Sequence, residues 1–307
     1  MTWHSQPPSA VLAGLVAAAV LVTEGAATDT PKRADPLRLA FTSAVMAGVS
    51  RSEAEASISV WTKTLATVRG YLLDASTVIY DDLQALGREM AQGRVQLVAL
   101  TTEEYWQLGA PDLGTTFVGQ RGGRVGQEVL LIVRRDAGLT SLGALRGRSL
   151  VALDMAGEGM ARAWLESLLL DQGLEPAARF FSSVVSVNKP ARAALPVFFG
   201  QHDACLLTRG AFDTIVELNP QVGQVLVPLL HSMPLQHSLL LLDARYDPAA
   251  RPAVVDALLE LHETPRGQQV LSLFGRERLV LGTAASLASS FEVLARRDRL
   301  RERSPGR

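Results

Sequence analysis

Cysteine and lysine are the scarce residues of this 307-residue chain. The one cysteine, Cys205, lies in an apolar stretch, which leaves no disulfide framework and no cysteine-built metal site. A buried small hydrophobe is its expected role. Of 30 basic residues only Lys32, Lys63 and Lys189 are lysines. The formal net charge is −1, so no whole-molecule pull on nucleic acid or on an anionic membrane is implied, and any recognition of anions has to be local. Catalytic signatures are missing as well: there is no Gly-x-Ser-x-Gly elbow, no Walker loop and no His-Glu-x-x-His. His231 and His237 lack an evident third ligand. The paired carboxylates Asp81-Asp82 and Glu103-Glu104 fall at expected helix starts, where the helix dipole accounts for them. Neither catalysis nor a cofactor is expected.

What is present begins with an address. Residues 10–22 form a continuous apolar run, too short to span a bilayer but suited to a signal-peptide core, and Gly25-Ala26-Ala27 supplies small residues for cleavage after Ala27. The flank before the run carries no Lys or Arg, and an uncleaved anchor is the alternative. Either way the folded part is expected outside the cytoplasm. Residues 28–36 read as a polar linker. With 48% hydrophobic and 20% charged residues, the remainder reads as a folded globular protein.

Residues 180–209 read as strand, helix, strand. A Val-rich run at 180–187 precedes Asn188-Lys189-Pro190, a helical stretch ends at Gly200, and 204–207 is apolar again. Proline suits a first helical turn, where its missing N–H costs nothing, and glycine suits the left-handed residue past a helix end. The turn before this helix gathers Asn188, the Lys189 cation and free backbone N–H groups, a natural anion seat.

The same rhythm occurs on either side. Residues 37–41 read as a strand ending at Thr42-Ser43, and Ser52 with Glu55 makes a capping-box pattern before Ile58, Trp61, Leu65 and Val68 at helical spacing. A strand at 77–80, a helix capped by Asp81 and a strand at 94–100 follow, the last ending at Thr101-Thr102-Glu103-Glu104-Tyr105. Beyond a Gly-rich loop, 128–133 and 149–153 read as strands, the second closing on a turn through Gly157, Glu158 and Gly159 before a helix with Met160, Trp164 and Leu168. The glycines let backbone approach a ligand, but Arg162 stands where a dinucleotide fingerprint needs its third glycine. The alternation predicts mostly parallel sheets whose strand tips share one edge. Asp247-Pro248 and Thr264-Pro265 open later helices, a third holds Leu287 and Leu294, and 298–307 is expected to be a solvated charged tail.

Five stretches carry a resemblance: YDDLQALGREMAQGRVQLVAL, GLTSLGALRGRSLVALD, LLLDQGLEPAARFF, FFGQHDACLLTRGAFD and ETPRGQQVLSLFG. In order and spacing they resemble the phosphate/phosphonate-type substrate-binding proteins of bacterial ABC transporters, which are type 2 periplasmic binding proteins. The resemblance implies an α/β fold of two lobes, each a mostly parallel sheet flanked by helices, joined by two hinge crossovers that close on a ligand. Lobe 1 would comprise 37–127 plus 231–297, and lobe 2 residues 128–230. Strand-tip position nominates Thr42, Tyr80, Thr101, Thr102 and Tyr105 from the first lobe and Gly157, Gly159, Asn188, Lys189, Thr208 and Arg209 from the second. Arg209 either grips a carboxylate, sulfonate or phosphonate bidentately or pairs with Asp203 or Asp213. Tyr105 serves as an apolar wall or as helix packing. Glu158 would repel a dianion in the cleft and Lys189 would attract one. The expected partners are a small anionic ligand and the membrane permease of an ABC transporter, with a membrane signalling receptor as the alternative and an extracytoplasmic enzyme on the same scaffold less favoured.

Overall fold

Two sheets are built from β1 (Leu37–Thr42), β2 (Ala75–Tyr80), β3 (Leu97–Thr101), β4 (Gly114–Arg121), β5 (Val129–Arg134), β6 (Ser149–Leu153), β7 (Ser183–Val187), β8 (Ala204–Thr208), β9 (Leu226–His231), β10 (Ser238–Asp243) and β11 (Arg278–Leu281). The computed structural model describes residues 32–46, 52, 56, 67–68, 71–72, 74–112, 114–153 and 159–303, all within the unit Pro31–Arg307. The first sheet has the order β11-β4-β10-β3-β1-β2, and the second β7-β6-β8-β5-β9. The chain therefore leaves the first sheet after β4 and returns at β10.

Strand direction departs from the expected mostly parallel pattern. In the first sheet β1 runs parallel to β2 and β3, whereas β10 pairs antiparallel with β3 and β4, and β11 antiparallel with β4. In the second, β6 is parallel to β7 and β8, and β5 is antiparallel to β8 and β9. The first sheet is mixed because β10 and β11, added after the chain returns, run against the strands laid down before it left, and the second because β5, the first strand after the crossover, runs against the other four.

Each sheet is buried on both faces, which is why its central strands read as unbroken apolar runs. Along β6, Leu150 and Ala152 enter one cluster with Trp164 and Phe180, while Val151 and Leu153 enter another with Val197 and Phe212. In the first sheet Phe41 and Ala99 face one cluster, Ala40 and Leu100 the other. Phe41, 2% exposed, stacks on Phe274 with ring centroids 6.3 Å apart.

The helices are α1 (Leu83–Ala91), α2 (Thr102–Gln107), α3 (Gly159–Asp171), α4 (Ala177–Phe180), α5 (Pro190–Phe198), α6 (Arg209–Leu218), α7 (Pro220–Val225), α8 (Arg251–Leu259), α9 (Pro265–Leu273) and α10 (Ala284–Arg303). Pro190 opens α5 and Gly200 takes the left-handed conformation beyond it, with φ +72°. Several local expectations are corrected. Asp82, not Asp81, caps α1, accepting from the Gln84 N–H at 2.8 Å, because Asp81 accepts from the Ser43 hydroxyl. Phe180 belongs to α4, so β7 is shorter than the apolar run. Asp247 turns the chain by accepting from the N–H groups of Ala249 and Ala250, which delays α8 to Arg251. Val68 sits in a two-residue strand, Thr67–Val68, and Ile58, Trp61 and Leu65 of the expected helix lie outside the described residues. Within the expected linker, Lys32–Arg33 pairs with Tyr71–Leu72 and Ala34 is buried. The charged tail is helix as far as Arg303, because Arg297 and Asp298 are held by α2.

The two crossovers, 122–128 and 232–237, lie side by side. Gln127 and Leu235 exchange both backbone hydrogen bonds at 2.9 Å, and the Val129 N–H donates to the Ser232 hydroxyl at 2.9 Å. Gly126 has φ +76°, and a Cβ there would stand 3.1 Å from the Leu235 carbonyl oxygen. Only glycine lets the two hinge strands approach this closely.

Candidate ligand cleft

The strand tips of the first lobe converge on one carboxylate. Thr101 caps α2 through a reciprocal pair: its hydroxyl accepts from the Glu104 N–H at 3.1 Å, and the Thr101 N–H donates to Glu104 Oε2 at 2.9 Å. The same oxygen accepts from the Thr42 hydroxyl of β1 at 2.7 Å. Thr42 and Thr101 are thus brought together by Glu104. Sequence reasoning credited Glu104 to the helix dipole, although Thr-x-x-Glu before a helix is the capping-box signal that identifies it.

The remaining first-lobe candidates are placed apart. Thr102 is fully buried; its N–H donates to the His237 carbonyl at 2.9 Å, while its hydroxyl has no hydrogen-bond partner among the described residues. Tyr105 is 7% exposed and packs against Phe291, its hydroxyl donating to the Pro111 carbonyl at 2.8 Å. Burial, then the charge of Asp112, pushes its phenol above the ordinary range. Tyr80 is half-buried, and burial, then Glu89, pushes its phenol up likewise.

In the second lobe Gly157 and Glu158 lie outside the described residues, and Gly159 opens α3. Asn188 and Lys189 are exposed at the start of α5, and the Lys189 ammonium meets no carboxylate among the described residues. Thr208 is 5% exposed and precedes α6. Arg209 donates from Nε to the Glu128 carboxylate, and its N–H donates to the Glu128 carbonyl at 2.8 Å. Its ion-pair partner is therefore the residue that ends the first crossover, not Asp203 or Asp213. Asp203 is engaged at the opposite end of β8, accepting from the N–H and hydroxyl of Ser149 at 2.8 Å each. Burial works against its ionisation, but these bonds hold its carboxyl below the usual range.

The two strand-tip edges meet at α2 and α3. Glu103 reaches the first turn of α3, its Oε2 2.7 Å from where a Cβ on Gly159 would stand, and Arg297 of α10 donates to its other oxygen. A recess of about 460 Å³ runs from here along the flank of α3, past Arg162 and Glu166, to Pro176 and Val184 at the opposite end of the strands, over an apolar floor that includes Leu150 and Leu206. None of the sequence signals pointed to Glu103 or Arg297. Among the described residues no three His, Cys, Asp or Glu gather as metal ligands, and no helix is long and apolar enough to cross a membrane.

Two mixed α/β sheets, joined by paired crossovers and meeting at their strand tips, define a two-lobed solute-binding protein of the type 2 periplasmic class. The profile described as "ABC transporter, phosphonate, periplasmic substrate-binding protein" matches residues 43–287, and the chain belongs to that family. The family works outside the cytoplasm as the substrate-binding component of a transporter, which implies a small-molecule ligand and a membrane permease as partners; the signalling-receptor alternative finds no support in these comparisons. No curated protein sequence matches the chain. Among solved structures, a Xanthomonas citri protein bound to ATP is similar at TM-score 0.59 and 20% identity, over 87% of this chain and 98% of its own. The binding protein component of a Pseudomonas aeruginosa ABC phosphonate transporter gives TM-score 0.57 at 12% identity, over 89% and 90%. PhnD1 from Prochlorococcus marinus, in complex with methylphosphonate, gives 0.55 at 13%, over 89% and 98%.

Proposed function

We propose that the protein captures a small organic anion bearing a phosphonate-like acid group between its lobes and delivers it to the permease of an ABC transporter, without catalysis. The observation that carries this reading is Lys189: an exposed cation at the start of the nine-residue helix α5, on the edge where the lobes meet. The ligands of two relatives, ATP and methylphosphonate, have a phosphorus oxyanion in common. Thr42, Tyr80, Thr101, Thr102, Tyr105, Gly157, Gly159, Asn188, Thr208 and Arg209 are the other proposed contributors. Those whose polar atoms are already paired would act by shaping the cleft. We also propose export through residues 10–22 with cleavage after Ala27, read out by N-terminal sequencing of the exported protein.

A thermal-shift screen of the chain from Thr28 onward against phosphonates, phosphite, phosphate, sulfonates and carboxylates tests the reading. A ligand at about a hundred times its dissociation constant adds ~2.7 kcal/mol of stability. A hit that is lost in Lys189→Ala supports the anion cleft. Silence across all anions, with a response to neutral or cationic compounds, overturns it.

A further inference from the structure

The last helix makes a third connection between the lobes, beside the two crossovers. Leu287 of α10 packs with Val118 and Leu239 of the first lobe, and Leu294, two turns later, packs with Leu131 and Trp164 of the second. Between them Ser290 grips the second crossover: its hydroxyl accepts from the Gln236 N–H at 2.8 Å and donates to the Gln236 carbonyl at 3.2 Å. Past Leu294 the helix runs antiparallel to α3, with Arg296 paired to Asp171 and Arg301 to Glu166.

The same turns of α10 hold α2 of the first lobe. The buried Arg297 guanidinium donates to Glu103 and, at 2.8 Å, to Asp298 Oδ1, while Asp298 Oδ2 accepts from Trp106 Nε1 at 2.9 Å. The Trp106 ring stands 5.4 Å from that of Phe291 on α10 and packs against the apolar cluster of the second lobe. A tryptophan carried by the first lobe thus reaches the core of the second, fastened by a carboxylate of the shared helix.

Because α2 follows the tip of β3, and α3 follows β6 in the other lobe, opening the cleft has to part α10 from one of them. The two seams are unequal. Toward α3 the helix sinks Leu294, which is fully buried, and withdrawing it would expose apolar surface. Toward α2 the contacts are largely polar and aromatic, and their polar groups can exchange one another for water. The α2 seam is the one that parts, and while it is made the strand-tip edges meet.

Resting on the capture reading above, we propose that α10 is a strap that favours the closed arrangement of the lobes before a ligand arrives, with Trp106 as its catch. Trp106 is then a positioning residue for capture, acting through Asp298 and the core of the second lobe rather than on the ligand. Apparent affinity follows the fraction of molecules already closed.

Small-angle X-ray scattering of the unliganded chain from Thr28 onward reads the arrangement without any ligand. Trp106→Ala removes the ring and its hydrogen bond and gives a larger radius of gyration than the parent. Trp106→Phe keeps a ring, removes only the hydrogen bond and falls between them, which keeps the test open if the alanine variant fails to fold. Stopped-flow binding of methylphosphonate and inorganic phosphate then reads capture: Trp106→Ala releases at least about tenfold faster than the parent and binds at least about tenfold more weakly. A residue that only adds stability would lower the melting temperature and leave radius and release rate at parent values, and that result overturns the strap while the capture reading survives. A larger radius in the variants, with neither anion bound by the folded parent, supports the strap and counts against the anion cleft.

Discussion

The two strand-tip edges differ in how far their polar groups are already committed. In the first lobe, Thr42 and Thr101 are tied to Glu104, Tyr105 to Pro111, and Thr102 is enclosed. In the second, Asn188 and Lys189 stand exposed on a turn held by backbone geometry alone. One edge is a finished wall and the other offers an uncommitted cation. Changes on the first should therefore register as stability, and changes on the second as affinity.

The largest effect is expected where the wall is most connected. Glu104→Ala removes the side-chain half of the α2 capping box and strands the Thr42 hydroxyl and the Thr101 N–H, costing about 2–4 kcal/mol. In urea the unfolding midpoint falls while the slope holds. Lys189→Ala, in contrast, should weaken anion binding by about tenfold, or ~1.4 kcal/mol, with an unchanged melting temperature. A melting temperature that drops with it would place Lys189 in the wall instead.

Acid sharpens the same contrast. Asp243 of β10 is 5% exposed; burial opposes its ionisation, but the hydrogen bonds and charge of Arg245 hold its carboxyl below the ordinary range. A folded-state value below the unfolded one, about 3.9, means that the stabilisation is present above that pH and is lost as pH falls through the folded value. Asp243→Asn should flatten the loss of stability below about pH 4, measured by thermal melts across pH. The smallest effect belongs to Thr102→Val, which removes a buried hydroxyl that lacks a partner and should leave stability level or raise it by up to ~1 kcal/mol. A loss greater than that would reveal a partner for the hydroxyl.

Proline and glycine made the second lobe's edge legible in the sequence, since Pro190 has its φ fixed at a value that suits a first helical turn and Gly200 reaches the left-handed conformation that most residues avoid, and so they mark both ends of α5. The first lobe's edge was legible only in outline. Thr101 and Glu104 form a local pattern, but nothing local says that Thr42, on another strand, shares the carboxylate. Strand direction was hidden for a related reason: β10 reads as an apolar run whichever way it pairs. Arg297 was read as the last residue of lobe 1, at the edge of the charged tail, with no partner assigned to it. Its burial depends on Glu103, 194 residues away, and ion pairs at that separation leave no trace in periodicity. The helical spacing of Leu287 and Leu294 does continue to Arg297 and Arg301, so the extension of α10 was present in the pattern.

Cys205 is fully enclosed in β8, and burial pushes its thiol far above the range in which a reactive thiolate forms. The protein therefore brings almost no background to thiol chemistry. Two cysteines introduced on the exposed faces of opposite lobes could be labelled with fluorophores while the native residue stays in place, and the distance between the lobes followed in single molecules as ligand is added.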